Sequence, residues 1–77
     1  MSVTVKTFAH LREQLGVAET VVSADSVATV ADVWQALSGH SEIPDHILAA
    51  VNLDYARADS PVRDGDEVAF FPPVTGG

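Results

Sequence analysis

The sequence contains no cysteine. That absence removes disulfides, thiolate nucleophiles and cysteine-ligated metals from consideration. Basic residues are scarce: 4 Lys and Arg stand against 11 Asp and Glu, for a net charge of −7. Phosphate backbones repel such a surface, so nucleic acid is not an expected ligand, and anionic lipid is set aside for the same reason. The charge has two compatible readings: it keeps a small apolar domain soluble, and it steers the domain toward basic protein partners. No apolar run exceeds five residues, the length of Ile47–Val51, which is too short to cross a membrane. The first residues alternate polar and apolar, Ser2-Val3-Thr4-Val5-Lys6, with no basic stretch leading into an apolar one. No signal peptide is expected, and the expected location is the cytoplasm. No glycine-rich loop precedes a helix, so the chain is not expected to cradle ATP itself.

Metal chemistry has little support. His10, His40 and His46 form no i,i+4 pair, and no metal site is expected from them. His10 reads as an exposed residue at a helix start and His40 as one near a helix C-terminus. Asp64, Asp66 and Glu67 are too few and too closely spaced for a calcium loop, and Asp64-Gly65-Asp66 reads as a tight turn. There is no internal repeat, linker or low-complexity segment.

What is present fits one domain of 77 residues. Val3–Thr7 alternates with period two and is β-branched, predicting a strand. Phe8, Leu11 and Leu15 fall at helical spacing, and Gly16 suits a helix stop. Glu19–Ser23 reads as a second strand. Thr29 and Asp32 resemble a capping box, followed by Val30, Val33, Trp34 and Leu37 on one helical face and Gly39 at its end. Trp34 is expected in the core. Ile47–Asn52 has the length of a buried strand, and Glu67–Phe71 is a last strand stopped by Pro72 and Pro73. The order is strand, helix, strand, helix, strand, strand. This predicts an α+β fold in two layers, with the apolar faces of both helices on one side of a sheet. Phe70 and Phe71 must face opposite sides of their strand. Phe70, in phase with Val68, is expected in the core, leaving Phe71 outward as a candidate anchor for a partner.

The segment Phe70-Phe71-Pro72-Pro73-Val74-Thr75-Gly76-Gly77 is the most informative. A domain over residues 1–71 and an extended tail over 72–77 are expected. The six residues after Phe71 reach about 20 Å if fully extended. Pro72-Pro73 favours a stiff, extended start without N–H donors, and Gly76-Gly77 fits a narrow slot. A terminal carboxylate is a poor electrophile. Coupling to AMP activates it as an acyl adenylate, and a sulfur nucleophile that displaces AMP leaves a thiocarboxylate. On a thin arm, that sulfur can be presented at high effective concentration inside another protein. Two terminal glycines alone say little; the Phe-Phe-Pro-Pro lead-in after an Asp-Gly-Asp turn gives the pattern its specificity.

The stretches Ile47–Asn52 and Pro61–Gly77, with Phe8-Ala9-His10-Leu11-Arg12-Glu13, resemble the small subunits of molybdopterin synthase, a family of ubiquitin-like sulfur carriers. The resemblance spans nearly the whole chain and is loosest from Val17 to Asp45. It implies a β-grasp fold, a mixed sheet packed on two main helices, with first and last strands parallel at its centre. It implies that a ubiquitin-activating-type adenylating enzyme uses ATP on the carboxylate of Gly77, with Gly76 beside it. A sulfur donor protein then supplies the thiocarboxylate. The tail next enters the large synthase subunit and donates sulfur to cyclic pyranopterin monophosphate, forming the molybdopterin dithiolene. Phe71, Pro72, Pro73, Val74 and Thr75 would contact partners. The small subunit would act as the sulfur-donating part of a heterotetrameric sulfurtransferase, with no cofactor bound to it and no catalytic activity alone. A carrier for another pathway, such as thiamine thiazole formation, and a ubiquitin-like protein modifier remain alternatives.

Overall fold

The computed structural model describes residues 1–8, 10–16 and 18–72, with His10 by its backbone alone. Its elements are β1 (Ser2–Thr7), α1 (His10–Leu15), β2 (Glu19–Ser23), a 3-10 turn (Ala24–Ser26), α2 (Val30–Ser38), β3 (Leu48–Val51), β4 (Asp54–Ala56) and β5 (Glu67–Phe71). The five strands form one sheet in the order β2-β1-β5-β3-β4. β1 and β5 are parallel, and the other three pairs are antiparallel. A mixed sheet with the chain's first and last strands paired at its centre, covered on one face by two helices, is the β-grasp arrangement. No helix among the described residues is long and apolar enough to cross a membrane.

Alternation builds the two faces of the sheet. In β1, Val3, Val5 and Thr7 are buried while Ser2, Thr4 and Lys6 are not. In β5, Val68 and Phe70 are buried and Glu67, Ala69 and Phe71 face the other way. The register sets Val5 beside Val68 and Thr7 beside Phe70, with Val68 next to Val51 and Phe70 next to Ala49 on the far side. Leu11, Val30, Val33 and Trp34 from the helices join these residues in a single core. Phe70 is wholly buried, and its ring meets Trp34 edge-on with centroids 4.9 Å apart, a favoured aromatic geometry. The indole Nε1 of Trp34 is buried without a hydrogen-bond partner, a destabilising feature that the ring's packing must offset.

The α2 caps match their sequence signals. Thr29 Oγ1 accepts from the Asp32 amide at 3.3 Å, and Asp32 Oδ2 accepts from the amides of Ala28 at 2.9 Å and Thr29 at 3.1 Å. These bonds, led by that from Ala28, hold the Asp32 carboxyl below its ordinary value. Gly39 ends the helix at φ 82°, its amide donating to Gln35 O, a left-handed cap that glycine adopts without a Cβ penalty.

Two local expectations fail. Phe8 does not join the apolar face of α1: the helix starts at His10, and Phe8 stays outside it, exposed. Among the described side chains of α1, Leu11 and Leu15 supply its contacts to the core. β4 is an additional strand. Asp54-Tyr55-Ala56 has no alternating pattern, and its strand state comes from hairpin pairing with β3. The hairpin turn is Asn52-Leu53, both with positive φ, 51° and 74°. Two such residues between paired strands match a type I′ turn, whose preferred sequence is Asn-Gly. A leucine in that region costs on the order of 1–2 kcal/mol.

Truncation of the Phe70 side chain should be the severest core change. Phe70→Ala is expected to cost about 3–5 kcal/mol in urea denaturation. Trp34→Phe should cost clearly less, because it removes an unpaired buried donor along with the lost ring contacts.

Candidate functional site

β5 carries the chain to the start of the tail. It is laddered on both sides, to β1 and to β3, and its last residue, Phe71, still lies opposite Leu48. Phe71 is half-buried on the face away from the helices, and Pro72 after it is also half-buried. The remaining residues expected to act, Pro73, Val74, Thr75, Gly76 and Gly77, lie outside the described residues.

The outer face holds more than Phe71. Phe8, Ala50, Leu53, Tyr55, Ala69 and Phe71 line an open groove of about 530 Å³ with Lys6 and Glu67. The Tyr55 and Phe71 rings lie 6.0 Å apart at 49°. Tyr55 is 80% exposed and Leu53 89% exposed, far more than apolar side chains of this size usually are. Lys6 and Glu67 form an ion pair at 3.3 Å across the β1–β5 pair; in such an exposed setting it adds little stability and fixes the polar floor of the groove. Among the sequence-predicted site residues that are described, Phe71 lines this face and Pro72 does not. Phe8, Leu53 and Tyr55 were not read as part of it. Tyr55 stands in a three-residue strand without alternation, and Phe8 falls at helical spacing in sequence although the helix begins after it.

A polar clamp holds the end of the groove distant from the tail. Asp66 Oδ1 accepts from Asn52 Nδ2 at 3.0 Å, and Asp66 Oδ2 accepts from the Arg63 amide at 2.8 Å. Asn52 Oδ1 accepts from the Glu67 amide at 3.0 Å, and the Asn52 amide donates to Glu67 O at 2.8 Å. Asp64 Oδ1 accepts from the Ser2 amide at 2.8 Å, and Gly65 turns the chain at φ 88°, where a side chain would be strained. Both aspartates of the Asp-Gly-Asp turn are therefore spent on protein donors that align β1, β5 and the β3–β4 hairpin. Among the described residues, no three His, Asp or Glu side chains are grouped so as to hold a metal ion. His40 and His46 are both exposed, and His40 follows Gly39 at the end of α2 as its spacing predicts.

Residues 5–77 match the ThiS family. The chain belongs to that family. Among its curated relatives, the molybdopterin synthase sulfur carrier subunit of Escherichia coli K12 is 46% identical over 91% of this chain and 93% of the relative. Small archaeal modifier protein 1 of Haloferax volcanii is 37% identical over 94% of this chain and 97% of the relative. A crystal structure of the same Haloferax modifier superposes on all of this chain and all of its own with a TM-score of 0.83 at 36% identity. The ThiS-family assignment and the small-subunit resemblance drawn from the C-terminal motif agree.

In this ThiS-family chain the turn before the last strand holds an aspartate whose carboxylate accepts two hydrogen bonds. The Asp66 carboxyl is held below its ordinary value of 3.8, first by the Asn52 amide and then by the Arg63 backbone amide. A depressed aspartate contributes stability above its unfolded value, and that contribution is lost as pH falls through the folded value. Asp66→Ala should therefore lower the melting temperature at pH 7. The gap from the parent chain should narrow as pH drops below about 4, measured by thermal melts across the acid range.

Proposed function

We propose that this chain is the sulfur carrier and small subunit of a molybdopterin synthase. The observation that carries the reading is the last strand running into Pro72-Pro73-Val74-Thr75-Gly76-Gly77, in a chain 46% identical to a protein named for that role. The family membership supports the carrier function. The chemistry follows from the tail.

In this reading the Gly77 carboxylate attacks the α-phosphate of ATP on a ubiquitin-activating-type enzyme, releasing pyrophosphate and leaving an acyl adenylate. Sulfur from a donor protein, delivered at the oxidation level of sulfide, attacks the acyl carbon. The C–O bond to the phosphate breaks, AMP departs and the thiocarboxylate remains. Pro72 and Pro73 favour an extended start to the arm, which would carry the sulfur into the large subunit's pocket ahead of the folded domain. There the sulfur bonds to cyclic pyranopterin monophosphate, water cleaves the acyl C–S bond, and the Gly77 carboxylate is regenerated for another round. The large subunit supplies the pocket and the catalytic side chains. Gly76 and Gly77 supply thinness, and Phe71 with the residues up to Thr75 supplies contact along the channel. ATP is bound by the activating partner, and the cycle runs in the cytoplasm.

A second reading, a protein modifier joined through Gly77 to lysine amines, has its own support. The chain is 37% identical to a small archaeal modifier protein. Both readings use the same adenylate and differ in the nucleophile that follows.

Incubation with the activating enzyme, ATP and sulfide should raise the intact mass by the difference between one sulfur and one oxygen atom. Deleting Gly77 should abolish that shift and leave the melting temperature unchanged. An unmodified mass with the cognate enzyme, or a deletion that unfolds the domain, would defeat the reading.

A further inference from the structure

Asp64-Gly65 is the one place in the sequence where an aspartate or asparagine is followed by glycine. That pair has a chemistry of its own. The amide nitrogen of the second residue can attack the side-chain carboxyl carbon of the first, and glycine, without a Cβ, hinders the attack least. Both residues are exposed, so water reaches them. The space where a Gly65 Cβ would stand is empty.

The fold ties down both reacting groups through the same residue. Asp64 Oδ1 accepts from the Ser2 amide at 2.8 Å, and the Gly65 amide donates to Ser2 O at 2.9 Å. The turn around them is closed a second time: the Asp66 amide donates to Arg63 O at 3.0 Å, and the Arg63 amide donates to Asp66 Oδ2 at 2.8 Å. Ring closure needs the Gly65 nitrogen to swing toward the Asp64 carboxyl, which breaks the bonds to Ser2. Ser2 is the first residue of β1, and strand ends open at lower free energy than strand centres.

We propose that Asp64-Gly65 is a latent isomerisation site that Ser2 keeps closed. When Ser2 lifts away, the Gly65 nitrogen bonds to the carboxyl carbon of Asp64 in its acid form. The nitrogen's proton and the carboxyl hydroxyl leave as water, and a succinimide ring remains. Water then opens the ring at either of its carbonyl carbons. One opening restores aspartate; the other leaves isoaspartate, with an extra carbon in the main chain. No oxidant or cofactor takes part. The extra carbon falls in the turn that leads into β5, ahead of the residues that pair with β1. The chemistry is independent of what the tail carries.

The test ages the folded chain in water enriched in heavy oxygen. The peptide holding residues 64 and 65 is then read by mass and by separation of its aspartate and isoaspartate forms. Each ring opening adds one heavy oxygen there. The parent chain is expected to take up label at least about tenfold more slowly folded than unfolded in urea. Ser2→Pro removes the donor to Asp64 at a strand's first residue, where proline is tolerated. It should take up label about fivefold faster than the parent at a temperature where melts show both folded. Asp64→Asn keeps an acceptor oxygen and closes the same ring with loss of ammonia, so it reports the lock even where Ser2→Pro fails to fold. Its deamidation should be at least about tenfold slower folded than unfolded. Folded and unfolded rates within about twofold of each other, in the parent or in Asp64→Asn, overturn the proposal. So does a folded Ser2→Pro chain that labels no faster than the parent, or label that enters at Asp59-Ser60 in preference to Asp64-Gly65.

Discussion

Parallel pairing of β1 with β5 is the constraint on which the rest of the structure depends. It joins the chain's first and last strands at the middle of the sheet. Phe70 fixes the pairing because it is buried between Thr7 on one side and Ala49 on the other, beneath the Trp34 ring. A one-residue slip of β5 would put Phe71 and Ala69 into the core and Phe70 into the groove. The same register that packs the core therefore aims the outer face and sets the point at which the tail leaves.

The proposed function divides labour between the folded strands and the C-terminal residues that follow them. The chain has no cysteine, and no metal ligands are grouped among the described residues. In the proposed function, their role is to hold the start of the C-terminal segment and to offer a surface to the proteins that act on its end. The polar network of Asn52, Asp64 and Asp66 serves that role from the opposite end of the sheet, tying the hairpin and both central strands together. A net charge of −7 would steer the domain toward basic partners in the proposed function.

Much of this was legible in the sequence where signals were local. The alternation of Val3, Val5 and Thr7, the Thr29–Asp32 capping box, and Gly16 and Gly39 as helix stops each report a short-range physical preference. The opposite facing of Phe70 and Phe71 follows from strand geometry alone. β4 was not legible. Asp54-Tyr55-Ala56 becomes a strand only because Asn52-Leu53 reverses the chain, and Leu53 in place of glycine hides that turn. Phe8 was misplaced because its spacing to Leu11 and Leu15 imitates a helical face that the backbone does not form. The groove is likewise a product of pairing: Lys6, Ala69, Ala50 and Tyr55 are distant in sequence and adjacent across four strands.

The central claim is that Gly77 carries sulfur. Intact mass spectrometry of the chain isolated from cells growing with molybdate tests it most directly. The account predicts two species, carboxylate and thiocarboxylate, differing by one sulfur-for-oxygen exchange at Gly77. A chain found only as carboxylate and as isopeptide conjugates to lysine would contradict it.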